Sequence, residues 1–433
     1  MTKTPAEIEL MAKAGCLCSN IGMTVSGDFP SSRQWAGPTD IAAFSIARWR
    51  GRSWSPAVSN RLSSIQTLRA VAVFGVLLAH LVSIEAKSGG QTLLSPSFHF
   101  GMAGVDLFFT ISGFVMVHTT WGIERGGRSV VPFLFARATR IYPLYWIVTA
   151  ALIPVWLYRP ALVFGSIVGE PDIVRNLLLW PDARPPLLAV GWTLVHEVFF
   201  YLVFSISLLF GRRWSLAFLV GWAAVVLAGS VLGAGALNPL AAVVFNPLSL
   251  EFIGGALAAL AFRTLRPTHG RGVLVIAVAW FALALVWAAR NTWVFDDQWA
   301  RTLTFGVPCA LLAFGVARAE VGALSFWSWL SVMGDCSYSL YLTHVLSMTA
   351  LSMIWWPFAS AGVEDNVIVL PILTVGAVVI GFSVWNWIER PLLLRLRSFS
   401  DGWKILRRPQ TLGELSAEGT ISLSSPAARV RLS

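Results

Sequence analysis

A chain of 433 residues with 56% hydrophobic and only 12% charged residues, at a mean hydropathy of +0.68, falls outside the soluble globular class, where about a quarter of residues are charged. The net charge of +10 does not point to nucleic acid, because the basic residues lie in short clusters between apolar runs, the pattern of loops that face anionic lipid headgroups. The four cysteines, Cys16, Cys18, Cys309 and Cys336, show neither disulfide-framework nor zinc-ligand spacing, so no metal site is expected.

Residues 1–60 mix Ser, Gly, Pro, Arg and Trp without a sustained period. No charged, apolar and cleavage-site series opens the chain, so they read as a flexible cytoplasmic extension rather than a signal peptide. Beyond them, apolar windows of about 18–22 residues predict ten spans. These lie near 66–84, 104–121, 141–158, 192–210, 214–233, 240–262, 272–290, 302–318, 336–356 and 367–388. The fold class is all-α: a polytopic membrane protein with about ten transmembrane helices in one domain over 61–398, followed by a cytoplasmic tail over 399–433. The stretch LSFWSWLSVM, residues 324–333, is too short to span and is expected to lie in the interface ahead of the ninth helix.

Orientation follows from the basic residues. With the N-terminus inside, Arg125, Arg128, Arg137, Arg140, Arg212, Arg213, Arg263, Arg266, Arg271 and Arg318 fall in inner loops. Lys87, Arg159, Arg175, Arg184, Arg290 and Arg301 fall in outer ones. The cluster Arg390, Arg395, Arg397, Lys404, Arg407 and Arg408 then lies inside as well. Both termini are expected on the cytoplasmic side of a bacterial inner membrane.

Ionisable side chains inside spans are costly and mark functional sites. The first span carries two, Arg69 and His80, eleven residues apart. At 100° per residue they share one face, about 16 Å apart along the axis. Asp106 opens the next span and is expected at the same outer end as His80. A carboxylate on one ring nitrogen would orient the imidazole and leave the other as a general base. A histidine merely bridging helices is the plainer alternative. Arg137 and Arg140, three apart in the inner loop after the second span, share a helical face and suit bidentate binding of phosphates; positive-inside determinants are the alternative.

GWTLVHEVFFY, residues 191–201, places Trp192, His196 and Glu197 within the fourth span, and a buried carboxylate there needs a partner or a proton. Glu251 reads as structural, and the Gly254–Gly255 pair after it as a close helix contact. In the ninth span Tyr338, Tyr341 and His344 recur at i, i+3 and i+6, able to line a cavity or to bridge helices. No dinucleotide, phosphate-loop, zincin or nucleophile-elbow motif occurs.

Taken in order, Arg69 with His80, GVDLFFTISGF, the arginine pair followed by IYPLYW, WTLVHEVFFY, SYSLYLTH and the closing IERP at Ile388–Pro391 resemble the membrane-bound acyltransferase-3 family over roughly residues 63–395. Within it the chain is most similar to exopolysaccharide O-acetyltransferases, through GVDLFFTISGFVM, LLLWPDARPP and WTLVHEVFFY. The resemblance implies transfer of an acyl group, acetyl from acetyl-CoA, to a hydroxyl of a glycan such as an exopolysaccharide or lipopolysaccharide. It implies an essential role for His80 and donor binding by Arg137 and Arg140. Joined to the residue reading, it casts Asp106 and Glu197 as catalytic partners, Arg69 as a third donor ligand, and Trp192, Tyr338 and His344 as acceptor contacts. Acyl-CoA is a substrate here, with no permanently bound cofactor expected. A transporter or flippase of a polysaccharide intermediate is the competing class, with equal use for polar groups in the membrane. Membrane lipid is an expected partner, nucleic acid is not, and the oligomeric state is left open.

Overall fold

The computed structural model describes residues 62–87, 91–160, 163, 171–184, 186–265, 270–321, 328–359 and 363–396. The expected N-terminal extension 1–60 and tail 399–433 lie outside these residues, as do Arg266 and His269. Among the described residues there are helices and turns and no strand.

Ten principal helices are labelled α1 to α10. They are α1 (Ser63–Lys87), α2 (Ala103–Thr120), α3 (Gly127–Tyr158), α4 (Gly191–Ser207), α5 (Ser215–Val231), α6 (Ser249–Thr264), α7 (Gly270–Arg290), α8 (Gln298–Val321), α9 (Ser337–Trp355) and α10 (Val363–Val384). Each of the ten expected spans overlaps one of them, and the sixth, 240–262, also takes in a separate short helix, Pro239–Val244. Eight described helical segments are long and apolar enough to cross a bilayer. The two principal helices outside that group are α4, with 17 residues, and α9, whose Ser, Tyr, Thr and His residues dilute its apolar surface. These two carry much of the site described below.

The helices alternate in direction, as contacts at their ends require. At one end Glu320 of α8 accepts from Ser63 of α1, Thr119 of α2 accepts from Arg137 of α3, Ser207 O of α4 accepts from Arg125, and Leu265 O beyond α6 accepts from Arg318 of α8. At the other end Met102 O accepts from Arg301 of α8, and Gln91 O accepts from Asn366 of α10. The first end gathers Arg125, Arg212, Arg263 and Arg318.

The interior is built on α1, α2 and α6, which cross with backbones touching. A Cβ on Gly104 would lie 2.2 Å from Ala72 O of α1, and one on Gly255 would lie 1.9 Å from Thr110 O of α2. Only a residue without a side chain allows such an approach. The expected role of the Gly254–Gly255 pair is thus filled by Gly255.

One expectation is corrected. The segment between the second and third spans is a loop only to Gly126, because α3 begins at Gly127 and runs for 32 residues. At about 48 Å it exceeds a 30 Å hydrocarbon layer, so its first turns project beyond it and carry Arg128 and Arg137. Of the interfacial stretch 324–333, residues 328–333 belong to a short helix, Ser328–Asp335, and 324–327 lie outside the described residues. That helix packs on the start of α1, where a Cβ on Gly334 would meet Gln66 O at 1.9 Å.

Candidate active site

Arg69, Arg137 and Arg140 converge from α1 and α3. Arg69 Nε donates to Ser337 Oγ at 3.1 Å, at the start of α9, and the guanidinium is within electrostatic reach of Arg140, Glu197, Glu389 and Tyr201. Arg137 Nη2 donates to Thr119 Oγ1 at 3.0 Å and lies over the rings of Phe133 and Tyr201, at 5.4 and 5.7 Å. Arg140 forms an ion pair with Glu389 and lies over the Tyr338 ring at 5.2 Å. Glu389 ends a π-helical turn, Trp385–Glu389, that closes α10, and its other oxygen accepts from Ser339 Oγ. The i, i+3 spacing does put both arginines of α3 on the inward side, but they are held by different helices.

Next to this cluster, Glu197 of α4 accepts from Ser112 Oγ of α2 at 3.0 Å and from Tyr201 OH. Its neighbours on α4 reach elsewhere. Thr193 and Tyr341 hydroxyls are 2.9 Å apart, and His196 packs edge-on to Trp192 and Phe109.

His80 meets His344 rather than Asp106. Its Nδ1 is 2.9 Å from Val76 O and 3.4 Å from His344 Nε2, and the rings stand edge-to-face with centroids 4.9 Å apart. His344 Nδ1 faces Tyr341 O at 2.8 Å. These contacts assign protons to both Nδ1 atoms, so His344 Nε2 is the acceptor behind His80, and the basic lone pair of His80 is on Nε2. Both carboxylate oxygens of Asp106 are instead taken by Arg301, at 2.7 Å from Nε and 2.9 Å from Nη2. The expected Asp106–His80 orientation is corrected on this ground: a full charge at 2.7 Å holds the carboxylate against α8. Trp192 lies on this side, its ring 6.0 Å from the Arg301 guanidinium carbon. Glu251 is sealed beside the pair, with neither oxygen hydrogen-bonded among the described residues.

The tyrosines expected to line one face diverge. Tyr338 donates to Ile141 O of α3 at 2.6 Å, Tyr341 bonds Thr193 of α4, and only His344 faces α1. Burial sorts the set into two layers. Arg69, Arg137, Arg140, Glu197, His80 and Trp192 are half-buried and keep accessible surface, whereas His344, Glu389 and Asp106 are sealed behind them. A ligand can touch the first layer; the second fixes its geometry.

Sequence reasoning missed Glu389, Arg301, Ser112 and Tyr201. Glu389 stands inside the IERP motif, and Arg301 opens an apolar helix, which is itself a signal. Nothing local names their partners, 249 and 195 residues away. Among the described residues no group of three or more His, Cys, Asp or Glu side chains could hold a metal ion.

Comparison with known proteins returns a match to the acyltransferase-3 family, described as an acyltransferase domain, over residues 62–386. The chain is 33% identical over 316 residues to the exopolysaccharide production protein ExoZ of Rhizobium meliloti strain 1021, covering 70% of this chain and 92% of that protein. It is 28% identical over 173 residues to the peptidoglycan O-acetyltransferase OatA of Listeria monocytogenes serovar 1/2a, covering 38% of this chain and 24% of that protein. No solved structure matches.

Proposed function

From the premise that this chain belongs to the acyltransferase-3 family and is a membrane O-acyltransferase, we propose that it moves an acyl group, foremost acetyl, from acyl-CoA to a hydroxyl of a glycan such as an exopolysaccharide or lipopolysaccharide unit. The observation that carries this reading is that half-buried Arg69, Arg140 and His80 are each held by a sealed partner, with half-buried Arg137 beside them. Three guanidiniums face two carboxylates, Glu197 and Glu389, leaving one positive charge uncompensated in a site of low dielectric. A phosphorylated donor answers that charge, and Arg forks bind phosphate oxygens bidentately. The pantetheine arm then has about 16 Å to travel along α1 to His80. The glycan acceptor is supported by the two relatives, whose names concern exopolysaccharide production and peptidoglycan O-acetylation.

In this mechanism His80 Nε2 takes the proton of the acceptor hydroxyl while its oxygen attacks the thioester carbonyl. The C–S bond breaks, and the CoA sulfur leaves as thiolate and takes the proton back from the imidazolium. His344 fixes the His80 ring, Glu197 stays within reach of Arg69 at the donor end, and Trp192 offers a flat apolar wall to a sugar. The protein lies in the bacterial inner membrane with the arginine end and both termini facing the cytoplasm, where acyl-CoA is made.

Purified protein incubated with radiolabelled acetyl-CoA and acceptor glycan should transfer label. His80→Ala should abolish transfer, a loss of at least about 10²-fold, with an unchanged melting profile. Transfer retained by His80→Ala removes His80 from this role, and no label transfer or release by the wild type removes the donor assignment.

A further inference from the structure

The stretch between α3 and α4, which contains LLLWPDARPP, has no part in the mechanism above. Its residues 171–184 and 186–190 are described. The short helix Ile173–Leu178 ends in carbonyls that have no partner within the helix. Three aromatic residues on one face of α3 donate to three successive carbonyls there. Tyr145 OH donates to Asn176 O at 2.8 Å, Trp146 Nε1 to Leu177 O at 2.8 Å and Tyr142 OH to Leu178 O at 2.9 Å. The Asn176 side chain then accepts from Leu187 N at 2.6 Å, and Val190 O accepts from Tyr341 OH at 3.4 Å. Tyr341 is the residue whose own carbonyl faces His344 Nδ1.

These contacts fix a depth. Trp146 lies twelve residues before the end of α3 at Tyr158, a rise of about 18 Å, and Tyr341 lies fourteen before the end of α9 at Trp355, about 21 Å. The chain therefore leaves α3 at one end of the bundle, returns to mid-depth of a hydrocarbon layer about 30 Å thick, and starts α4 there. Non-helical backbone is tolerated at such depth only where protein or water surrounds it. Here α3 covers the carbonyls, and water is called for by Arg175 and Arg184, whose side chains are 51% and 45% exposed. Val174 and Leu178, one turn apart, make an exposed apolar strip that suits lipid; two exposed guanidiniums do not.

Arg175 pairs with Asp172 at 3.3 Å and with Asp182 at 3.5 Å, and Arg184 pairs loosely with Asp182 at 3.9 Å. Two carboxylates and two guanidiniums cancel, so this network, unlike the donor cluster, does not call for an anion. It sets acceptors beside donors, which matches a sugar hydroxyl, itself both donor and acceptor. We propose that this segment re-enters the membrane and walls an open, water-filled indentation, where Arg175, Asp182 and Arg184 hold the acceptor glycan on its way to His80. The glycan assignment rests on the acyl-transfer reading; the re-entry does not.

Both parts are tested on the full-length protein. For re-entry, cysteines replace exposed Ala189 and, as a lipid-facing reference on α7, Leu283. A membrane-impermeant maleimide is added to right-side-out and inside-out vesicles, with wild-type labelling as the baseline. Ala189→Cys should react from the outer side about tenfold faster than Leu283→Cys or more, because the thiolate is the reacting form and needs water. Equal, slow reaction overturns the indentation, and reaction from the inner side alone overturns the outer opening. A fluorophore on Ala189→Cys should be quenched more by lipids brominated at mid-chain than by lipids spin-labelled at the headgroup. The reverse order places the segment at the surface and overturns re-entry. For the glycan, transfer is measured to oligosaccharides of de-O-acetylated exopolysaccharide. Asp182→Asn and Arg184→Gln should each raise the oligosaccharide KM about three- to tenfold, the loss of one hydrogen bond, with the acetyl-CoA KM and melting profile unchanged. An unchanged oligosaccharide KM in both variants overturns the subsite. Absence of transfer by the wild type overturns the acyl-transfer reading and the glycan assignment with it, while the labelling and quenching results still decide re-entry.

Discussion

Asp106, Glu251 and Glu389 are all buried carboxylates, and they differ in what stands opposite. Asp106 is held by two nitrogens of Arg301, and Asp106→Asn leaves that guanidinium sealed and uncompensated. Breaking one side of such a pair costs about 3–5 kcal/mol, so the thermal midpoint in detergent should fall by many degrees. Glu251 makes no close hydrogen bond among the described residues, and its polar neighbours are Asp106, Arg301 and Thr302. Glu251→Gln keeps the shape of the side chain beside them and should change stability by less than about 1 kcal/mol. A large loss there, measured the same way, would mean that Glu251 bears a charge that Arg301 depends on. Glu389 holds Arg140 and is itself sealed from the surface. Glu389→Gln should raise KM for acyl-CoA about tenfold, the effect of roughly 1.4 kcal/mol of lost positioning, while kcat stays within about twofold. A fall in kcat with unchanged KM would move Glu389 from the donor site to the reacting centre.

At the scale of elements, the crossings of α1, α2 and α6 leave no room for side chains. Gly255→Val would drive its branches into Thr110 O, 1.9 Å from the position of the new Cβ, and overpacking of this kind costs about 1–3 kcal/mol or more. Gly221→Val, in α5, meets nothing within 4 Å. Size-exclusion profiles should show aggregation or loss of Gly255→Val and a wild-type peak for Gly221→Val. The helices themselves were legible in the sequence, because an apolar run of sufficient length has few alternatives in a bilayer. His80, Arg69 and Glu197 were legible as costly groups inside those runs. What α1 presents to α9 was not, because neighbour choice depends on packing across hundreds of residues. Asp106 was therefore expected on His80, at the same end of the adjacent helix, whereas α8 supplies an arginine at 2.7 Å. The extent of α3 was misjudged for a related reason: arginines in an apolar–polar alternation suit a projecting helix as well as a loop.

Across the whole molecule, the alternation of helix direction separates two chemistries. The arginines of α3 and the Glu389 turn stand at the end where α1 begins, and His80 stands about three helical turns beyond Arg69 along α1. Acyl-CoA carries several charges and does not cross a bilayer, so the proposed orientation makes donor access one-sided. Inside-out vesicles should consume acetyl-CoA added to the medium, and right-side-out vesicles should do so only after permeabilisation. A C-terminal green fluorescent protein fusion should fluoresce in cells, while an alkaline phosphatase fusion at the same place should be inactive. Equal use of external acetyl-CoA by right-side-out vesicles would place the arginines on the outer face. If the fluorescent fusion still reported a cytoplasmic terminus, the fault would lie in the donor site and not in the orientation, because the fusion reads the position of the terminus independently of what Arg137 and Arg140 bind.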